Sequence, residues 1–252
     1  MIYTIWHSIR RPASYKRLTQ QKLWRLILTL FVFFTSVTGV KALMMANSIN
    51  QFVWFMQNEF PAKMPPFHYN GSELLVDGPT PVTLTAKNGY SVIVDVSAPV
   101  PRDSLNQINS GAVFGKTELY VLNRGVQQSF SYKNQLMLRN PLTKHDIIRM
   151  VPFLKPLLLI ALVIGSLGMI GWSFVQITLF SFLAMLIASL QRIRLSYRQA
   201  WLIAAFSLIP ASLIDLLNFF LQSHYLSLAF WVAVLTYMHH GMGSFKKGDG
   251  VE

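Results

Sequence analysis

Asp215, Asn218 and Gln222 stand at i, i+3 and i+7 in the stretch "PASLIDLLNFFLQSH". On a helix this spacing puts a carboxylate and two amides on one face. The residues around them are apolar enough to lie in lipid. A carboxylate inside a membrane span is costly and usually faces other helices or water, so it marks a candidate intramembrane polar site. Lys155 and Gln176, in other apolar stretches, are its candidate partners. A competing reading makes Asp215 a boundary residue that helps helices pack, since it lies only about six residues, or roughly 9 Å of helix rise, from the end of its span. The sequence leaves both readings open.

No other constellation competes with it. The chain has no cysteine, which excludes disulfides, thiolate metal sites and Cys nucleophiles. His239 and His240 are adjacent, so on a helix they point in different directions and do not chelate as an i, i+4 pair would; cationic anchoring at an interface suits them better. His68 is isolated. Asp77, Asp95, Asp103, Glu59, Glu73 and Glu118 are scattered over one polar segment. Two carboxylates can make a glycosidase site, but nothing in the linear order brings a pair together. Asp95, ending the apolar run "VIVDV", stands out among them, although acids at strand ends are ordinary. The "NGS" at Asn70 matches a glycosylation acceptor and equally a turn. No catalytic, cofactor-binding or metal residue is assigned, and no cofactor is expected.

The elements that must position Asp215 follow from composition. Of 252 residues, 52% are hydrophobic and 13% charged, against about 25% charged in ordinary globular chains. The apolar residues cluster into runs near the roughly 20 needed for a spanning helix. The class is an α-helical integral membrane protein. A net charge of +12 would raise nucleic acid as a partner for a soluble domain; here the basic residues flank apolar runs, where they hold loops in the cytoplasm and meet anionic lipid. The lipid bilayer is therefore the expected partner and nucleic acid is not.

Residues 1–25 carry Arg10, Arg11, Lys16, Arg17, Lys22 and Arg25 with no acid. Ile2, Ile5, Trp6 and Ile9 give this segment an apolar helical face, ended near Pro12, as in a helix lying at the interface. These basic residues are the topology determinants and place the N-terminus in the cytoplasm. A first transmembrane helix follows at 26–46, uncleaved, with Lys41 snorkelling toward the far surface. Segment 47–150 is different material, with nine Lys or Arg against seven Asp or Glu. "INQFVWFMQNEFP" reads as an amphipathic extension of the helix. Beyond it, "ELLV", "VTLT", "YSVIVDV", "GAVFG", "ELYVLN" and "VQQSFSY" read as strands split by turns, with "RDSLNQIN" a short helix between them. Asn70–Gly71 and Asp77–Gly78 supply turns for a first hairpin. This is an inserted small α+β, β-rich, extracytoplasmic domain.

From 151 to 240 lies a cluster of three to four transmembrane helices, at about 151–172, 173–190, 200–222 and 224–240, before a polar tail at 241–252. Hydropathy favours five elements in all. Charge favours four crossings, because five would put Arg192, Arg194 and Arg198 outside. Forty residues of helix would reach roughly 60 Å, about twice the hydrocarbon thickness, so 151–190 is divided, with Gly165, Gly168 and Gly171 permitting a hairpin.

The lead "IWHSIRRPASYKRL", the segment "WFMQNEFPAKMPPFHYNGSELLVDGPTPV", the strand "VIVDVSAP", the pair "FGKTELYVLNRGVQQSFSY" and the later "YRQAWLIAAFSLIP" together resemble a bacterial family of integral membrane proteins of unknown function, some of whose members are described as maltodextrin-utilisation proteins. The resemblance covers essentially the whole chain. It implies one N-terminal helix, an outward module and a C-terminal helical cluster, and it supplies no catalytic residue. The first functional expectation is a non-enzymatic accessory protein of the bacterial plasma membrane, with an outward sensing or docking domain and a membrane partner such as a sugar importer. The second is a transporter or channel component with Asp215 in its path, and the third an envelope-glycan or lipid enzyme. The oligomeric state is left open.

Overall fold

A computed structural model describes residues 15, 22–85, 91–97, 105, 108, 110–123, 126–134 and 142–246. The chain is mostly α-helical, with a small β-rich region inserted between apolar helices. It divides into two compact units, residues 1–44 with 163–252, and residues 45–162.

Among the described residues, four helices carry the helical part: α1 (Leu23–Lys63), α2 (Lys144–Leu190), α3 (Tyr197–Leu221) and α4 (His224–Lys246). The first three are long and apolar enough to cross a bilayer, and the protein is a multi-spanning membrane protein. α1 runs unbroken through the amphipathic stretch to Lys63, as its periodicity predicts. The division of 151–190 into two elements, at 151–172 and 173–190, is not what the chain does: α2 is one continuous helix of 47 residues. At 1.5 Å per residue it is about 70 Å long, more than twice the hydrocarbon core. That length rules out a single span but not a single helix, because the part of α2 before Val163 belongs to the β-rich unit. The helix therefore starts at Lys144, inside the segment assigned to the outer domain. It is capped there by Thr143 and Asp146: the Thr143 N–H and hydroxyl donate to Asp146 Oδ2 at 2.9 and 2.6 Å, and the Asp146 N–H donates to Thr143 Oγ1 at 3.3 Å. At the far end of the chain, α4 continues through the first residues of the expected polar tail to Lys246.

Within the helical unit the directions follow from pairs of contacts. α3 opens on a capping box in which the Ser196 N–H donates to Gln199 Oε1 at 2.8 Å and Gln199 N–H to Ser196 Oγ at 3.4 Å. Asn218 meets Ser227 near the α3–α4 turn, and Ile203 lies against Gly241 at the other end, so α3 and α4 are antiparallel. The ring pairs Phe180–Trp231 and the contact of Gln191 with His239 run α2 parallel to α4. Phe34 meets Phe174 while Lys41 shares a cavity wall with Met169, so α1 opposes α2 and runs with α3. α3 is the central helix. Its run from Leu202 to Ala211 is buried throughout, whereas the apolar stretch of α2 is almost wholly exposed and thus lipid-facing. Tyr15, fully buried, packs its ring against Phe206 with centroids 5.3 Å apart. The expected interfacial helix, ended near Pro12, lies outside the described residues, as do Arg10, Arg11, Lys16 and Arg17; Lys22 and Arg25 are exposed at the start of α1.

Among the described residues, the β-rich unit holds two sheets. β1 (Phe67–Tyr69), β2 (Leu74–Val76) and β8 (Leu142–Thr143) form one antiparallel sheet in the order β2-β1-β8. The other has the order β3 (Val82–Thr85), β4 (Ser91–Val94), β5 (Ser110–Phe114), β6 (Glu118–Asn123), β7 (Val126–Ser131), antiparallel except for β4–β5. The hairpin expected over 70–84 does not form, because β2 and β3 lie in different sheets; the Asn70–Gly71 turn instead joins β2 to β1, with Gly71 at φ 98° and Asn70 Oδ1 accepting the Ser72 and Glu73 N–H groups at 3.0 and 2.9 Å. In the parallel pair Gly111 faces Ser91, whose carbonyl oxygen lies 1.9 Å from where a Cβ would sit, so no side chain fits. Phe55, Phe60 and Met64 from α1 pack with Phe67, Tyr69, Leu74, Leu84, Val94 and Tyr132 into one core. Ile93, Ile108, Val113 and Leu122 form a second, smaller one. Of the short helix expected around Asp103 and Ser104, only Leu105 and Ile108 are described. Lys144 ties α2 to the end of α1, its Nζ donating to the carbonyls of Pro61, at 2.7 Å, and Met64.

Candidate functional site

One turn beyond the buried run of α3, the side chain of Asp215 reaches a cavity of about 360 Å³ inside the helical unit. All four helices line it. α1 gives Phe34, Val37, Thr38 and Lys41; α2 gives Met169, Trp172, Ser173 and Gln176; α3 gives Ser212, Asp215 and Asn218; α4 gives Ser227, Phe230 and Trp231.

The carboxylate has a partner of opposite charge. Lys41 Nζ donates to Asp215 Oδ2 at 2.5 Å and lies 5.7 Å from the centre of the Phe219 ring. The lysine side chain is 15% exposed and that of Asp215 50% exposed, so the acid presents an open side to the cavity. A lone charge facing lipid would be costly.

Of the residues grouped from the sequence, the fold brings Asp215, Asn218 and Gln176 to one cavity. Gln222 does not join them. The helix ends at Leu221, and Gln222 is its left-handed cap (φ 52°), exposed and turned off the face that i+7 spacing would give it. Asn218 is what ends the helix: its carbonyl accepts the Gln222 N–H at 2.7 Å, its Oδ1 accepts the Ser223 N–H at 3.0 Å, and its Nδ2 donates to Ser227 Oγ at 3.0 Å. Asn218 thus stitches the α3–α4 turn as well as lining the cavity. Lys155 is exposed and belongs to the other compact unit, and Lys41 pairs with Asp215 in its place. Lys41, read from the sequence only as snorkelling toward the far surface, was missed as the partner; the signal that could have found it is its opposite charge at the same distance, about eighteen positions, from the start of its helix as Asp215. The aromatic walls of Trp172 and Trp231 carried no such signal.

In the polar segment, Asp95 and Tyr132 make contacts within the fold. Asp95 is 2% exposed, and its Oδ1 accepts from the Ser97 N–H, at 3.1 Å, and the Ser97 hydroxyl, which fixes the turn after β4. Burial pushes the Tyr132 hydroxyl far above its ordinary pKa, so it stays neutral and donates to the Gly115 carbonyl at 3.2 Å. His68 is exposed on β1, and His239 Nδ1 lies 3.3 Å from Gln191 Nε2. Among the described residues no group of His, Asp and Glu could hold a metal ion. A second cavity of about 110 Å³ in the β-rich unit is lined by apolar and aromatic side chains, Phe60, Phe67, Tyr69, Val94 and Phe114 among them.

Neither the curated proteins nor the solved structures contain a match to the chain. The model of a family described as "Protein of unknown function (DUF1189)" matches residues 3–242, nearly the whole length, and the chain belongs to that family.

Proposed function

We propose that the protein is a non-enzymatic accessory protein of the bacterial plasma membrane, with segment 1–25 cytoplasmic and the β-rich unit outside, where it senses or docks a partner. The observation that carries this reading is the alternation of the four helices. If each crosses once, Lys22 and Arg25 before α1, Arg192 and Arg194 before α3, and the end of α4 fall on one side, with the β-rich unit on the other. The positive-inside rule makes the basic side cytoplasmic. A docking role is supported by β7, the outer strand of the five-stranded sheet. It carries no charge, exposes Val126 and Phe130, and among the described residues nothing pairs with its outer edge. An uncharged edge of this kind accepts an added strand. The family resemblance suggests maltodextrin or other sugar uptake as the setting, with a sugar importer as partner.

Single cysteines at Ser129, Ser196 and Ser244 test the sidedness, since the chain has none of its own. A membrane-impermeant maleimide applied to intact cells should label Ser129→Cys alone; labelling of Ser196→Cys from outside overturns the placement. For the sugar setting, the full chain in lipid nanodiscs is titrated with maltodextrins by calorimetry, and a flat titration counts against it. The cavity around Asp215 favours a second reading, a transporter or channel component. In that case Asp215→Asn abolishes a measurable flux while protein level holds.

A further inference from the structure

The charges around the helical cavity restrict what it can hold. Lys41 and Asp215 are an ion pair of opposite charges, so a lone anion or a lone cation would meet one like charge at close range. A ligand carrying both signs meets two opposite ones. The lining is divided to suit such a ligand. Thr38, Ser212 and Gln176 offer hydroxyl and amide donors that make no hydrogen bond with the described residues, and these fit the oxygens of an anion. The open side of Asp215 lies in the same cavity as Trp172 and Trp231, each more than half exposed, and a carboxylate with indole faces suits an ammonium group. Asp215 is half exposed, so its carboxylate can accept a second cation while it stays beside Lys41.

Depth narrows the source. Lys41 and Asp215 each lie about eighteen residues into their helices, counted from Leu23 and Tyr197, or roughly 27 Å of rise. The hydrocarbon core is about 30 Å thick. The pair therefore lies within a few ångströms of the headgroup boundary of the leaflet opposite the one where Lys22, Arg25 and Arg198 begin these helices. Half-exposed tryptophans are common at that level.

We propose that this cavity binds the zwitterionic headgroup of a phospholipid of the phosphoethanolamine type. The ammonium is placed against Asp215 and the indole faces. The phosphate is placed against Lys41, with Thr38, Ser212 and Gln176 donating to its oxygens. This rests on the cavity alone and stands or falls independently of which side the β-rich unit faces.

The test uses the full chain in nanodiscs of phosphatidylglycerol with increasing phosphatidylethanolamine, and native mass spectrometry to count retained lipids. The wild type should retain phosphatidylethanolamine about tenfold over its bulk share, the ratio that one lost charge-assisted hydrogen bond would remove. Asp215→Asn and Lys41→Met should bring the ratio to the bulk value, while Lys155→Met should leave it unchanged. Should either single variant fold poorly, Lys41→Met/Asp215→Asn leaves no orphan charge and should fold with the preference gone. Glycerophosphoethanolamine, added to protein in phosphatidylglycerol-only discs, separates the sources. A rise in thermal midpoint that Asp215→Asn lacks means the soluble ester is bound as well. No rise, with lipid retention intact, means the headgroup is read together with its acyl chains. Retention at the bulk ratio in the wild type overturns the proposal, as does a folded double variant that keeps the preference.

Discussion

Replacing Gly241 by alanine reverses the usual consequence of that change. In a helix interior, Gly→Ala ordinarily stabilises by up to about 1 kcal/mol, because glycine loses more backbone freedom on folding. Gly241 lies within α4, and its missing side chain makes room for the buried ring of Tyr15. A Cβ there would fall 2.5 Å from Tyr15 Cδ2, 2.8 Å from Cε2 and 3.3 Å from Ile203 Cγ2. The ring cannot yield easily, since it is also packed on Phe206, and expelling it would forfeit about 3–5 kcal/mol of aromatic burial. Local shifts are the cheaper response, and overpacking of this kind costs about 1–3 kcal/mol. At about 2–4 °C per kcal/mol for a chain of this size, the thermal midpoint of Gly241→Ala should fall by several degrees. Circular dichroism of the full chain in detergent micelles reads it. In a Tyr15→Ala background the clash is absent, and Gly241→Ala should become neutral or stabilising. A variant that stabilises the wild type, or that costs the same in both backgrounds, refutes the packing argument.

Lys144→Met removes the ammonium that holds the Pro61 and Met64 carbonyls, and should destabilise the β-rich unit by about 1.5–3 kcal/mol, read as faster hydrogen exchange in β1 and β8. The Asp146 carboxyl is held below the usual carboxylate range by the Thr143 hydroxyl and N–H that donate to it. Its contribution is therefore complete above the unfolded value of about 3.9 and lost as pH falls through the lower folded one; Asp146→Asn should flatten that acid limb in a thermal-midpoint series from pH 7 to pH 3. Gly111→Ala should part β4 from β5 and expose the sheet to limited proteolysis, with cleavage between residues 91 and 123; a protected sheet would contradict the register.

The elements with a strong local pattern were legible in the sequence. β2 to β7 coincide with the six runs of strand-forming residues, and α1 follows its periodicity past the apolar stretch. β1 and β8 were not legible, because three and two residues hold no alternation and become strands only by pairing with each other and with β2. The unity of α2 was hidden by its length, about twice the hydrocarbon thickness over 151–190, and by Gly165, Gly168 and Gly171, which permit a hairpin. Each glycine costs a helix about 1 kcal/mol in water, but in lipid the backbone must satisfy itself and the helix persists. In the site, Asp215 stood out because an intramembrane charge is rare. Gln222 was misplaced because the spacing rule assumes that the helix continues, and Asn218 ends it.

The three-stranded sheet also fixes an order of events during synthesis. Its middle strand is β1, yet β8, which completes it, lies about 70 residues further along the chain. At about 5–20 residues per second, several seconds pass between the two. Through that interval one edge of β1 is without its partner, and the contacts of Lys144 with the end of α1 cannot form. Leu142 and Thr143, which complete the sheet, immediately precede α2, and Lys144 is its first residue. Completion of the sheet and delivery of the second membrane segment are thus nearly simultaneous, so a nascent chain that stalls before residue 142 exposes an unpaired strand edge to whatever folding factors attend that compartment.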